Sequence, residues 1–245
     1  MNAPGTGAAR HAVARRLIAM IDLTDLSETS SPADVERLCA RATDHQVAAV
    51  CVWPEHVRRV GRLLAGSEVR VATVVNFPSG DGRAFDCSVI TDRVIADGAD
   101  EVDLVLPYRA MLTGDHERAG AVLDAVRAVV PHERHLKVIL ETGELGSAEL
   151  IGRAARLAID HGADFVKTST GKTKVSATPE AVTVMAREVA SASRPIGIKP
   201  SGGIRTLDAA AALLHAVEVV LGAGWATPAN FRLGASSLLD ALLAE

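Results

Sequence analysis

Cysteine is scarce in this chain. Cys39, Cys51 and Cys87 are the only three in 245 residues and none forms a CxxC pair, so neither a disulfide framework nor a structural zinc site is expected. Positive charge is not in excess either: 26 Lys and Arg against 30 Asp and Glu leave a net charge of −4. With aromatic residues at only 3%, both the basic stripe and the stacking platform of nucleic-acid binding are missing, and no nucleic-acid partner is expected. No run of 18 apolar residues occurs, and the Gly/Ala-rich stretch from Met1 to Arg10 has no apolar segment of a signal peptide. No membrane partner is expected. The composition predicts a cytoplasmic protein whose residues 1–10 form a loose tail. The eight histidines form no HExxH pair, there is no GxSxG elbow, and Gly171-Lys172-Thr173 is no Walker A loop, because Val166 stands where its first glycine would be. Neither metal nor cofactor is expected.

What is present is a rhythm. Short apolar runs lie at Ile18–Ile21, Ala48–Val52, Val69–Val75, Val102–Leu106, Leu136–Leu140, Phe165–Lys167, Ile196–Lys199 and Val217–Leu221, recurring about every 28 residues, the length of one strand-helix unit. Helix signals fill the gaps: Ser31-Pro32 and Thr178-Pro179 open helices, and Val182, Met185, Ala186 and Val189 share a helical face. Eight such units predict an α/β fold, a single-domain (β/α)8 TIM barrel over residues 11–245. Gly98-Ala99-Asp100-Glu101-Val102-Asp103 and Gly162-Ala163-Asp164-Phe165-Val166-Lys167 align without a gap. Asp103 and Lys167 are therefore equivalent positions on strands 4 and 6, and alternate strands of a barrel supply the same interior layer.

Ionisable side chains inside these strand runs are the anomaly: Asp103, Lys137, Glu141, Lys167 and Lys199. Period two puts Lys137, Ile139 and Glu141 on one face. Unpaired buried charge costs several kcal/mol, so five such groups on parallel strands point to a purpose. Two lysines about 5 Å apart repel by roughly 3 kcal/mol at an effective dielectric near 20, which brings one amine from about 10.4 toward 8. Such an amine attacks carbonyls at neutral pH and forms a Schiff base. Glycine-bearing turns form a second cluster: Thr168–Thr173, Ser201–Ile204 and Gly234–Ser237. Glycines let backbone N–H groups approach an anion, and barrel phosphate sites are often built after strands 7 and 8.

Seven segments together resemble one family, the class I 2-deoxyribose-5-phosphate aldolases: Ile21–Thr24, Val75–Pro78, Glu101–Arg109, Leu136–Glu144, Val166–Lys172, Lys199–Arg205 and Gly234–Ser237. The resemblance implies that Lys167 is the Schiff-base nucleophile, that Lys199 lowers its pKa, and that Asp103 works with Lys199 in proton transfer, with Lys137 and Glu141 around them. It further implies that Thr170, Gly171, Lys172, Gly202, Gly203, Gly234, Ser236 and Ser237 hold a phosphate, while Asp22 and Thr24 face sugar hydroxyls. The implied reaction is reversible cleavage of 2-deoxy-D-ribose 5-phosphate to acetaldehyde and glyceraldehyde 3-phosphate, in deoxyribonucleoside catabolism.

The chain departs from the family pattern at Gly222-Ala223-Gly224-Trp225, where an Asp is common before the Trp, and at Ser201, where Ala is common. Leu238, Leu239, Leu242 and Leu243 are expected to dock a last helix, leaving no C-terminal tail to assist catalysis. A phosphosugar isomerase and a non-catalytic phosphosugar-binding barrel are the rival readings; neither needs the Asp103, Lys167 and Lys199 set. The sequence leaves monomer, homodimer and tetramer open.

Overall fold

The computed structural model describes residues 7–245. In chain order it contains α1 (Gly7–Ile18), β1 (Ile21–Asp25), α2 (Pro32–Asp44), β2 (Ala49–Val52), α3 (Val57–Leu63), β3 (Arg70–Val75), α4 (Ala84–Ala96), β4 (Glu101–Val105), α5 (Tyr108–Thr113), α6 (His116–Arg127), β5 (His135–Ile139), α7 (Thr142–Leu145), α8 (Ala148–Asp160), β6 (Phe165–Lys167), α9 (Pro179–Ala190), β7 (Gly197–Lys199), α10 (Leu207–Leu221), β8 (Leu233–Ala235) and α11 (Leu238–Leu243). All eight strands are parallel, in the order β7-β6-β5-β4-β3-β2-β1-β8. Bridges between Ile198 and Phe231 and between Ser201 and Gly234 join β7 to β8 and close the (β/α)8 barrel.

Local chemistry sets these elements. Ser31 caps α2 in a reciprocal box with Asp34, and Pro32 supplies a preset φ at the first helical position. Thr178 and Thr206 cap α9 and α10 through their hydroxyls. Gly98 and Gly162 take left-handed backbone (φ 105° and 88°), which turns the chain out of α4 and α8 and into β4 and β6. That shared turn gives the two aligned segments one register, and Val182, Met185, Ala186 and Val189 of α9 are buried as their spacing predicts.

The structure corrects the ends of the strand pattern. Ile18 ends α1 and Ile21 begins β1, so the first apolar run straddles a helix, a turn and a strand. Val217–Leu221 is the last turn of α10, not a strand, because a short apolar run does not separate a buried helix from a buried strand. The eighth strand lies twelve residues further on, at Leu233–Ala235, with a glycine at its centre. Residues 7–10 belong to α1 rather than to a loose tail: the Arg10 guanidinium reaches Asp208 at 2.9 Å and Glu245 at 2.6 Å, tying the first helix to α10 and the C-terminus. The remainder of the expected tail, residues 1–6, lies outside the described residues. In α11, Leu238, Leu239 and Leu242 are buried, but Leu243 is 46% exposed and takes no part in docking. Among the described residues no helix is long and apolar enough to cross a membrane.

Candidate active site

Strand register builds the centre. Asp103 pairs with Lys137 across β4 and β5, and Lys167 with Lys199 across β6 and β7, so four charged side chains converge inside one wall of the barrel. Asp103 is fully buried and is the hub: it accepts from Lys137 Nζ at 2.9 Å, Lys167 Nζ at 2.7 Å and Lys199 Nζ at 2.6 Å. Lys199 also meets Asp22 Oδ2 at 2.6 Å. Two glycines make room for this arrangement. A Cβ at Gly234 would lie 3.2 Å from Lys199 Cε and 2.7 Å from Ser201 Cβ, and one at Gly197 would lie 2.2 Å from the Phe165 ring.

The three amines are not electrostatically alike. Burial disfavours the charge of each, but Asp103 and Asp22 overcome it at Lys199, and Asp103 and Glu101 overcome it at Lys137, so both pKa values are raised. At Lys167 burial wins with the help of the Lys199 charge, against Asp103, and its pKa is lowered. Burial acts against the carboxylate of Asp103 too, yet Lys137, Lys167 and Lys199 hold it well below the usual range. The result is one ionised acid, two stably charged lysines and one amine biased toward its neutral, nucleophilic form.

Among the described residues of this cluster, Lys167 alone also lines a cavity. That cavity, about 320 Å³, is bounded by Thr24, Thr170, Gly171, Lys172, Gly202, Gly203, Gly234, Ser236 and Ser237 among others. Glycine is needed at Gly202, where φ is +85° and a Cβ would strike the Ser176 hydroxyl at 2.6 Å. Lys172 spans the mouth and donates to the Leu26 carbonyl at 3.0 Å. The cavity therefore carries an amine at its base and a cation with glycine turns at its rim.

Two expected residues are placed differently. Glu141 follows the end of β5 in left-handed backbone (φ 56°), which breaks the alternation with Lys137. Its carboxylate accepts from Thr170 Oγ1 at 2.5 Å and Thr173 Oγ1 at 3.1 Å, so it braces the loop after β6 and does not join the lysines. Asp22 is fully buried, on Lys199 Nζ at 2.6 Å and on Arg232 Nη1 at 2.7 Å, and is not among the residues that line the cavity. Thr24, by contrast, does line the cavity.

Sequence reasoning missed Glu101 and Arg232 as members of the cluster. Their signal was parity: Glu101 is two residues before Asp103, and Arg232 two before Gly234. Arg205 was also unassigned, and it lines the cavity beside Gly203. Among the described residues no group of three or more His, Cys, Asp or Glu side chains is arranged to hold a metal ion.

A closed parallel barrel whose interior lysine and glycine-rim cavity share one space defines a class, the lysine-centred (β/α)8 enzymes. Comparison with known proteins narrows it. The profile of the DeoC/LacD family aldolases matches residues 16–244. A curated deoxyribose-phosphate aldolase of Agrobacterium fabrum (strain C58) is 44% identical over 230 residues, covering 92% of this chain and 88% of its own. A solved chain from Toxoplasma gondii ME49 superposes with a TM-score of 0.89 at 28% identity, covering 97% of this chain and 96% of that one. The deoxyribose phosphate aldolase of Aeropyrum pernix, solved as a tetramer, shares the fold with a TM-score of 0.80 at 24% identity over 98% of each chain. The protein belongs to the DeoC/LacD family of aldolases and is an enzyme, a carbon–carbon lyase.

Proposed function

We propose that the protein reversibly cleaves 2-deoxy-D-ribose 5-phosphate to acetaldehyde and D-glyceraldehyde 3-phosphate through a Schiff base on Lys167. The observation that carries this is the single depressed amine, Lys167, opening into the cavity that also holds the glycine rim and Lys172. A cavity of about 320 Å³ suits a small phosphosugar. The relative from Agrobacterium fabrum, which carries the name of this activity, supports the same substrate class.

In this reading the neutral Lys167 amine adds to C1 of the open-chain sugar, and water leaves to give an iminium. The C3 hydroxyl then gives up its proton, C2–C3 breaks with its electron pair drawn toward the iminium, and glyceraldehyde 3-phosphate departs. Protonation of the enamine carbon and hydrolysis release acetaldehyde and the free amine. Asp103, ionised between Lys167 and Lys199, is placed to move these protons. Lys137 holds Asp103 from behind and is a positioning residue. The rim residues Thr170, Gly171, Lys172, Gly202, Gly203, Gly234, Ser236 and Ser237 take the phosphate, with Thr24 at the sugar. We carry with this reading a cytoplasmic location, which suits three free buried cysteines, and a homodimer as the assembly to test by sedimentation.

Borohydride added with acetaldehyde should attach one ethyl group to Lys167 and inactivate the enzyme in step with labelling. Peptide mass mapping checks this, and label confined to another lysine would reject the nucleophile. The rim is tested separately. Ser236 lines the cavity, so Ser236→Asp sets a carboxylate against the phosphate and should cost between about 1 and 4 kcal/mol of binding at about 4 Å. The loss should appear in kcat/KM for the phosphorylated sugar and spare 2-deoxyribose. Equal loss on both substrates would make this turn structural.

A further inference from the structure

The buried charge extends below the lysines to two residues that do not line the cavity. Arg232, just before β8, is 3% exposed; its Nη1 donates to Asp22 at 2.7 Å and to Glu101 at 3.2 Å, and its Nη2 to Glu101 at 3.0 Å. Glu101, at the start of β4, is fully buried and also meets Lys137 Nζ at 2.6 Å. From the lower rim His135 Nδ1 approaches it at 3.3 Å and Arg70 Nε at 3.8 Å, with side chains 30% and 45% exposed, so water screens both.

The buried groups can be counted as charges. Within the network of direct contacts, Asp22, Glu101 and Asp103 are three acids and Lys137, Lys167, Lys199 and Arg232 are four bases, all 4% exposed or less; the other buried acid, Glu141, sits on Thr170 and Thr173 and pairs with none of them. Facing Lys167 are Asp103 from β4, Lys199 from β7 and the Cys51 thiol from β2, which burial pushes up and keeps uncharged. An uncompensated buried charge costs several kcal/mol, so one of the four bases yields its proton. A guanidinium does not. Lys137 has Glu101 and Asp103 within 2.9 Å and Asp22 at 3.6 Å, and Lys199 has Asp22 and Asp103 at 2.6 Å each. Lys167 has Asp103 alone, at 2.7 Å, through an oxygen it shares with Lys199. It is the least supported of the three.

We propose that Arg232 and Glu101 are positioning residues that fix the charge balance of the barrel interior, with Arg232 committing Asp22 and Glu101 so that the amine left unprotonated is Lys167. The consequence for catalysis rests on the aldolase reading; the protonation claim does not. Removing Arg232 leaves three acids for three lysines, so Lys167 keeps its proton to higher pH. Removing the charge of Glu101 does the opposite. Removing both restores the balance, although neither residue touches the cavity.

The test is trace acetylation with acetic anhydride across pH, followed by mass mapping of Lys167, which reads the amine without requiring turnover. Arg232→Gln should move the Lys167 labelling midpoint alkaline by about one unit or more, a tenfold fall in labelling at any lower pH. Glu101→Gln should move it toward acid. The double variant and Arg232→Lys should both return to within about 0.3 unit of the wild type. Single variants that lose melting temperature with unmoved midpoints would overturn the proposal, since a merely structural role predicts that pattern. If a single variant does not fold, the double variant decides: charge balance requires that it fold with the wild-type midpoint, and failure in either respect overturns the proposal. Ethyl labelling by acetaldehyde and borohydride in the wild type tests the aldolase reading independently, and a negative result there leaves the acetylation comparison intact.

Discussion

Asp103→Asn should slow hydrogen–deuterium exchange into acetaldehyde by about two to four orders of magnitude, the range by which a positioned acid or base accelerates proton transfer. The same variant should still form the borohydride-trapped adduct on Lys167. Asp103 is the carboxylate that favours the charged form of Lys167, so its loss lowers the amine pKa further and extends trapping to lower pH. Schiff-base formation and proton transfer would thereby separate in one substitution. The variant should also be less stable, because Asp103 alone receives all three buried lysine Nζ groups, two of them charged. Breaking such an array costs about 3–5 kcal/mol, a fall in melting temperature on the order of 10 °C for a chain of this size. Exchange reduced less than tenfold in a folded variant would remove Asp103 from the proton path.

How far this centre was legible in the sequence depends on what each residue's position obeys. Asp103 and Lys167 each stand five residues after a glycine that ends α4 or α8, so alignment of the two segments was enough to set both in the same interior layer. Glu141 was misplaced by period two from Lys137, because β5 stops at Ile139 and the left-handed backbone at Glu141 swings its carboxylate to Thr170 and Thr173. The last strand gave no apolar signal: three residues around Gly234 cannot compete with the apolar end of α10. With β8 misplaced, Arg232 fell outside every strand and its parity with Gly234 went unread. Asp22 was assigned to sugar by resemblance, and only the packed interior shows that Lys199 and Arg232 claim both of its oxygens.

Lys199→Leu should shift the pH–rate profile alkaline by about two units and lower the rate near pH 7 by roughly a hundredfold. Two effects act in the same direction. The like charge that disfavours protonation of Lys167 disappears, and the Asp103 oxygen that Lys199 shares with Lys167 is left to Lys167 alone. Both raise the pKa of Lys167 toward its ordinary value, so the neutral fraction falls tenfold per unit below that pKa. At pH 10 the variant should recover most of the wild-type rate of adduct formation, measured by borohydride trapping, while exchange into acetaldehyde stays slow if Lys199 also carries a proton. Stability falls as well, since Asp22 Oδ2 keeps only Lys137, at 3.6 Å. A lower plateau with an unmoved midpoint would show that Lys199 acts in proton transfer alone and that burial by itself depresses the nucleophile. A midpoint that moves with exchange fully restored at high pH would assign it the opposite role, an electrostatic neighbour that never touches the proton in flight.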